Sequence, residues 1–186
     1  MVCCKHESCS QHPCFITLYE VKQILYFLLF LSVLTSCTRK SVGLDVIKNQ
    51  YDYYVQVVEI TDGDTFKGLT QDKIEIRFRI YAIDAPERKQ AYSEKSKQYL
   101  SDLIYGKRVG IKVQRKNDGY GRPVVWVYTP EGKDVSAELL KAGLAWHFKR
   151  YDQSGEYAEL ENAARKNKVG LWSEYDPVAP WDFRRR

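Results

Sequence analysis

No cysteine follows Cys37 in this chain of 186 residues. The five present, Cys3, Cys4, Cys9, Cys14 and Cys37, all precede the part that can fold as a domain. That part therefore has neither a disulfide framework nor thiolate chemistry. The chain is also too short for two comfortable domains, and it shows no internal repeat. Its main apolar run, Ile24 to Leu34 (ILYFLLFLSVL), falls short of the roughly 20 residues a bilayer span requires. Preceded by Lys22, it has the length of a signal-peptide h-region.

The residues after that run, Leu34-Thr35-Ser36-Cys37 and then Thr38-Arg39-Lys40, resemble the lipobox of bacterial lipoproteins. There the cysteine thiol is lipidated and becomes the mature N-terminus. Export follows as an expectation, either as a cell-envelope or outer-membrane lipoprotein held to the membrane through Cys37 or as a secreted protein. The basic stretch that should open such a signal is Val21-Lys22-Gln23, so translation is expected to start near Leu18 or Val21. Residues 1–20 would then not be made. Their cluster of Cys3, Cys4, His6, Cys9, His12 and Cys14 lacks apolar residues to pack around a metal and is not read as a zinc site. The expected division is a targeting segment over 1–36, a tether over 37–50, a folded domain over 51–175 and a tail over 176–186.

What remains is modestly basic and aromatic. A net charge of +5 permits an anionic partner such as nucleic acid or a membrane surface without requiring one. The 14 tyrosines and 4 tryptophans serve cores as readily as base stacking, and Trp126, Trp146, Trp172 and Trp181 are read as packing residues. From Tyr51 the pattern is that of strands: YDYYVQVVEI, a Thr61-Asp62-Gly63-Asp64 turn, then TFKGLT. In KIEIRFRIYAI, Ile74, Ile76, Phe78 and Ile80 alternate with charged residues, which is the period of a half-buried strand. RVGIKVQ and PVVWVYT supply two more strands. Helices are expected over Ala91–Tyr105, Val135–Ala142 with Asp134 as N-cap, and Glu156–Lys168 with Tyr157, Leu160, Ala163 and Ala164 on its inner face. The tail is expected to be irregular and to fold back through Trp181 and Phe183. Five short strands and three helices describe an α+β fold around a small barrel.

Charged residues crowd the strand ends. Asp62 and Asp64 lie on a tight turn, with Asp62 read mainly as a turn-shaping side chain. Asp84 and Glu87 follow a buried strand on a segment stiffened by Pro86. Such oxygen donors suit Ca²⁺ or Mg²⁺ rather than zinc. Arg79 and Arg122 could pair bidentately with a phosphate facing that metal. Each could instead be a structural residue, Arg79 paired with Glu75 or Glu87 and Arg122 solvated in its turn.

VEITDGDT, FRIYAIDAPE and DGYGR, in that order, resemble the signature segments of the staphylococcal nuclease family, and GLAWHFKRY and ARKNKVGLW are similar to its helical end in bacterial members. The resemblance covers about Tyr51 to Trp172. It implies a five-stranded OB-fold barrel with three helices and Ca²⁺-dependent hydrolysis of DNA and RNA to 3′-phosphate products. By the same resemblance Asp64 and Asp84 are metal carboxylates, and Ala85, where the type member has threonine, is a ligand through its backbone carbonyl. Glu87 orients or deprotonates the attacking water, Arg79 and Arg122 hold the scissile phosphate, and Tyr120 contacts a substrate phosphate. Gly119 departs from the family's lysine, and Lys149 and Tyr151 are candidates for base contact. A monomer is expected. The rival reading is a catalytically weak OB-fold module that binds nucleic acid, or a surface lipoprotein that binds another ligand.

Overall fold

In a computed structural model of the chain, residues 50–186 are described. The targeting segment, Cys37 and most of the tether lie outside them. Five strands close into a barrel in the order β1-β2-β3-β6-β5. They are β1 (Tyr53–Ile60), β2 (Thr65–Leu69), β3 (Glu75–Ile80), β5 (Arg108–Arg115) and β6 (Val124–Tyr128). Four of the five pairings are antiparallel; β3 and β6 run parallel, with Arg79 opposite Val124 and Ile80 opposite Val125. Closure leaves this sheet without an open edge.

Alternation fills the barrel. Val55 and Val57 point inward, Val58 and Glu59 outward, and Ile60 inward again. The extra outward residue coincides with a register shift between Val57 and Glu59, a bulge that restores the inward period at Ile60. Phe66 and Phe78 stack at 5.2 Å in the centre, surrounded by Ile80, Ile111, Val125 and Val127, all almost completely buried. Gly68 sits where a Cβ would come 2.7 Å from Val55 Cγ2, so the β2 backbone passes closer to β1 than any side chain would allow. Ile74 does not join this face. It precedes β3 in the turn and is 58% exposed, because the strand pairing with β2 begins only at Glu75.

The helices close the barrel's ends. Helix α1 (Ser93–Ile104) starts two residues later than its apolar spacing predicts, since Tyr92 adopts a left-handed conformation that cannot open a helix. It presents Leu100 and Ile104 to the core. Helix α2 (Val135–Lys141) is capped as predicted: Asp134 accepts from the amides of Ser136 and Ala137. Helix α3 (Gly155–Lys166) buries Tyr157, Glu161 and Ala164, while Ala163, expected on that face, is exposed. A two-residue pair, β4 (Ile83–Asp84) with β7 (Trp146–His147), ties the strand-end acids to the helical half. The tail, expected to be irregular, contains a short helix α4 (Pro180–Phe183), with Trp181 packed against Trp146 and Phe148. Among the described residues no helix is long and apolar enough to cross a membrane.

Candidate active site

The β1–β2 turn builds the first wall of the site. Asp62 accepts the Asp64 amide at 3.1 Å, an Asx turn that aims Asp64 into the fold, in agreement with its turn-shaping reading. Thr65, opposite Arg79 in the ladder, donates to Asp64 Oδ1 at 3.0 Å. The other Asp64 oxygen accepts the Ala85 amide at 2.7 Å, which locks the turn to the segment carrying Asp84 and Glu87. Gly63 makes that approach feasible. A Cβ there would stand 2.1 Å from Ser96 Oγ and 2.7 Å from Ala85 Cβ.

Arg79, the last residue but one of β3, lies between the acids. Its Nη1 donates to its neighbour's carbonyl, Ile80 O, at 2.9 Å, and its Nη2 lies 3.1 Å from Asp64 Oδ2 and 3.0 Å from Asp84 Oδ1. The pairings with Glu75 or Glu87 that the sequence left open are replaced by these two. Asp84 is 2% exposed. Burial raises its carboxyl above the usual range, as does the charge of Asp64, against the lowering pull of Arg184 and Arg79. Burial and the neighbouring Asp64 push Asp62 up to about 6.

The loop between β5 and β6 supplies a further part of the lining. Arg122 is gripped by Asp118, Nε at 2.8 Å and Nη2 at 2.7 Å, while its Nη1 reaches Thr65 Oγ1 at 3.3 Å. The same Asp118 accepts the amides of Tyr120 and Arg122. Burial alone would raise this carboxyl; the two amides and the guanidinium outweigh it and hold it below the usual range. Tyr120 stands 86% exposed at the mouth, its ring 5.5 Å from the Arg122 guanidinium carbon.

Asp64, Asp84, Ala85, Glu87, Arg79, Arg122 and Tyr120 thus line one open cleft of about 960 Å³. Tyr151 joins them, but Lys149 turns away to Glu161 at 3.2 Å. Several residues on the cleft were not singled out from the sequence. Thr65 and Asp118 support Arg122, and Asp118 had a local signal in its position four residues before that arginine. Arg184, from the tail, had none. Phe148, beside Tyr151 at 5.0 Å, also lines the cleft.

Among the described residues no three His, Cys, Asp or Glu side chains converge as a ready-made metal cage. Asp64 and Asp84 do converge, both contacting Nη2 of Arg79, and both offer only oxygen. Two converging carboxylates on an open cleft fit Ca²⁺ or Mg²⁺ completed by backbone, water and substrate oxygens. They do not fit zinc.

The model of the family described as Staphylococcal nuclease homologue matches residues 77–174. An uncharacterized endonuclease of Escherichia coli is 39% identical over 135 residues, covering 73% of this chain and 87% of its own length. An uncharacterized endonuclease of Haemophilus influenzae is 36% identical over 159 residues, with 86% and 82% covered. A micrococcal nuclease of Shigella flexneri is 33% identical over 144 residues, with 72% and 82% covered.

Proposed function

The chain belongs to the staphylococcal nuclease family, and from that premise we propose that it is a Ca²⁺-dependent phosphodiesterase that cuts DNA and RNA by water attack at phosphorus. The supporting observation is the convergence of Asp64, Asp84, Glu87, Arg79 and Arg122 on one solvent-open cleft. Asp64, Asp84 and the Ala85 carbonyl are the proposed holders of the cation. When bound, it would neutralise charge on a non-bridging phosphate oxygen and lower the cost of ionising water.

The chain's own groups do the rest. Arg79 in β3 and Arg122 just ahead of the neighbouring β6 both line the cleft, so a phosphate there meets two preorganised planar donors as charge builds on its oxygens. Glu87, half-exposed at the cleft, takes a proton from the attacking water. The new P–O bond forms opposite the P–O5′ bond, which breaks. The products are a 3′-phosphate and a 5′-hydroxyl, the latter taking its proton from solvent. Tyr120, exposed at the mouth, contacts a neighbouring phosphate. Gly119 offers no side chain beside it, so backbone contact there is weaker than a lysine would provide.

We further propose that the protein acts outside the cytoplasm, as a monomer, either lipid-anchored at Cys37 or secreted. The test is digestion of single-stranded DNA and of RNA by the purified chain with Ca²⁺, with Mg²⁺ and with chelator. Loss of cleavage on chelation, with 3′-phosphate ends on the products, is expected. An intact substrate in Ca²⁺ leaves the binding module as the correct reading.

A further inference from the structure

Arg184 lies 100 residues beyond Asp84 and 97 beyond Glu87, yet its guanidinium touches both. Nη2 donates to Asp84 Oδ2 at 2.7 Å, and Nη1 donates to Asp84 Oδ1 at 3.3 Å and to Glu87 Oε1. Among the described residues Asp84 Oδ2 has no other hydrogen-bond donor. The Asp84 side chain is 3% exposed and that of Arg184 45%. A buried carboxylate is therefore met by a guanidinium that enters from the solvent side and can leave by it.

The segment that delivers Arg184 is seated, not dangling. Ala179 and Pro180 are buried, and Trp181 packs 5.6 Å from Trp146 and 5.4 Å from Phe148. Gln90 couples this seat to the acids: its Oε1 accepts the Glu87 amide at 2.9 Å, and its Nε2 donates to the Val178 carbonyl. The Arg184 amide donates to the Pro180 carbonyl at 3.0 Å, which holds its backbone near while the half-exposed side chain can exchange partners.

We propose that Arg184 is a built-in competitor for the divalent cation, a tail-borne guanidinium that neutralises Asp84 and Glu87 and has to withdraw from Asp84 when the metal binds. A carboxylate oxygen already accepting from a guanidinium is less available to a hard cation, and the two positive charges repel at such range. Metal affinity is then set partly by the tail, which makes the segment from Val178 onward a control point on the catalytic centre. The inference rests on the metal reading above.

The test is calorimetric titration of Ca²⁺ into the full chain and its R184A and R184K variants without nucleic acid, paired with thermal melts in EDTA and in saturating Ca²⁺. R184A is expected to bind Ca²⁺ on the order of three- to tenfold tighter, to melt lower in EDTA, and to gain more from Ca²⁺. R184K, a point charge in place of a planar fork, is expected to fall between. Equal or weaker Ca²⁺ binding by R184A overturns the competition and leaves the metal reading standing. An absence of Ca²⁺ binding in all three chains overturns both.

Discussion

Arg79 Nη2 stands 3.0 Å from Asp84 Oδ1, so the arginine proposed to hold phosphate is braced by a carboxylate proposed to hold the metal, five residues further along the chain. The brace uses one nitrogen, and Nη1 is committed to the Ile80 carbonyl. Lysine keeps the charge but cannot make both contacts and present a planar edge to phosphate. R79K and R122K are each expected to lower kcat about 10²–10³-fold with little change in melting temperature. Steady-state cleavage kinetics beside circular-dichroism melts check this, and an active R79K removes the phosphate-clamp role.

Glu87 is partly exposed and holds its place through the hydrogen bond its backbone N–H donates to Gln90 Oε1, not through core packing. E87Q should fold normally and retain Ca²⁺ affinity within about threefold while kcat drops by about 10² or more, the range of general-base loss. Calorimetry and single-turnover cleavage separate the two effects.

Gly63 is more than a turn residue, because its missing Cβ is what lets the Asp64 turn rest on Ala85 and α1. Ser96 Oγ can rotate away; the Ala85 Cβ cannot. G63A is expected to cost about 1–3 kcal/mol in urea unfolding and to weaken Ca²⁺ binding by about tenfold, since the added methyl pries Asp64 from Asp84. Unchanged metal affinity in a folded G63A shows the spacing to be uncritical.

The pH behaviour of Asp118 has a definite sign. Its folded-state value is depressed, so its contribution is complete above the unfolded value of about 3.9 and disappears as pH falls through the folded one. The melting temperature of D118N should therefore lie below that of the parent by a constant amount from about pH 5 to 8, with the gap closing below about pH 4. KM should rise in D118N across the whole range, because Arg122 loses the carboxylate that aims it.

Glu161 is 1% exposed and anchors the helical half. Its Oε1 accepts from the His147 amide at 3.2 Å and from Arg165 at 3.1 Å; Oε2 lies 3.2 Å from Lys149 Nζ, an ion pair that lacks hydrogen-bond geometry. E161A leaves the His147 amide without its partner and opens a gap beneath β7, which should cost about 2–3 kcal/mol in urea unfolding. A loss under about 0.5 kcal/mol would show that the buried carboxylate does not anchor this half.

Much of this was readable from the chain alone. Phe78 and Ile80 sit inward as their alternation requires, Asp134 caps α2, and the acids and arginines of the three ordered segments line one cleft. The misreadings share a cause. Ile74 fits the period but falls outside the paired register, Ala163 fits the apolar face but lies beyond its contact, and Glu161 was passed over because periodicity reads hydrophobicity and cannot see a buried acid's partners.

Composition and order determined the chemistry available: oxygen donors without thiols, two arginines in stiff strand-end contexts, and strands of period two that must bury one face. Tertiary structure decided which charge meets which. Arg79 lies between Asp64 and Asp84 only because β2 and β3 pair with Thr65 opposite Arg79. Arg184 reaches Asp84 only because Trp181 seats the tail on Trp146 and Phe148. Contacts a hundred residues apart leave no local periodicity behind, since they are fixed by barrel closure and packing rather than by the preferences of neighbouring residues.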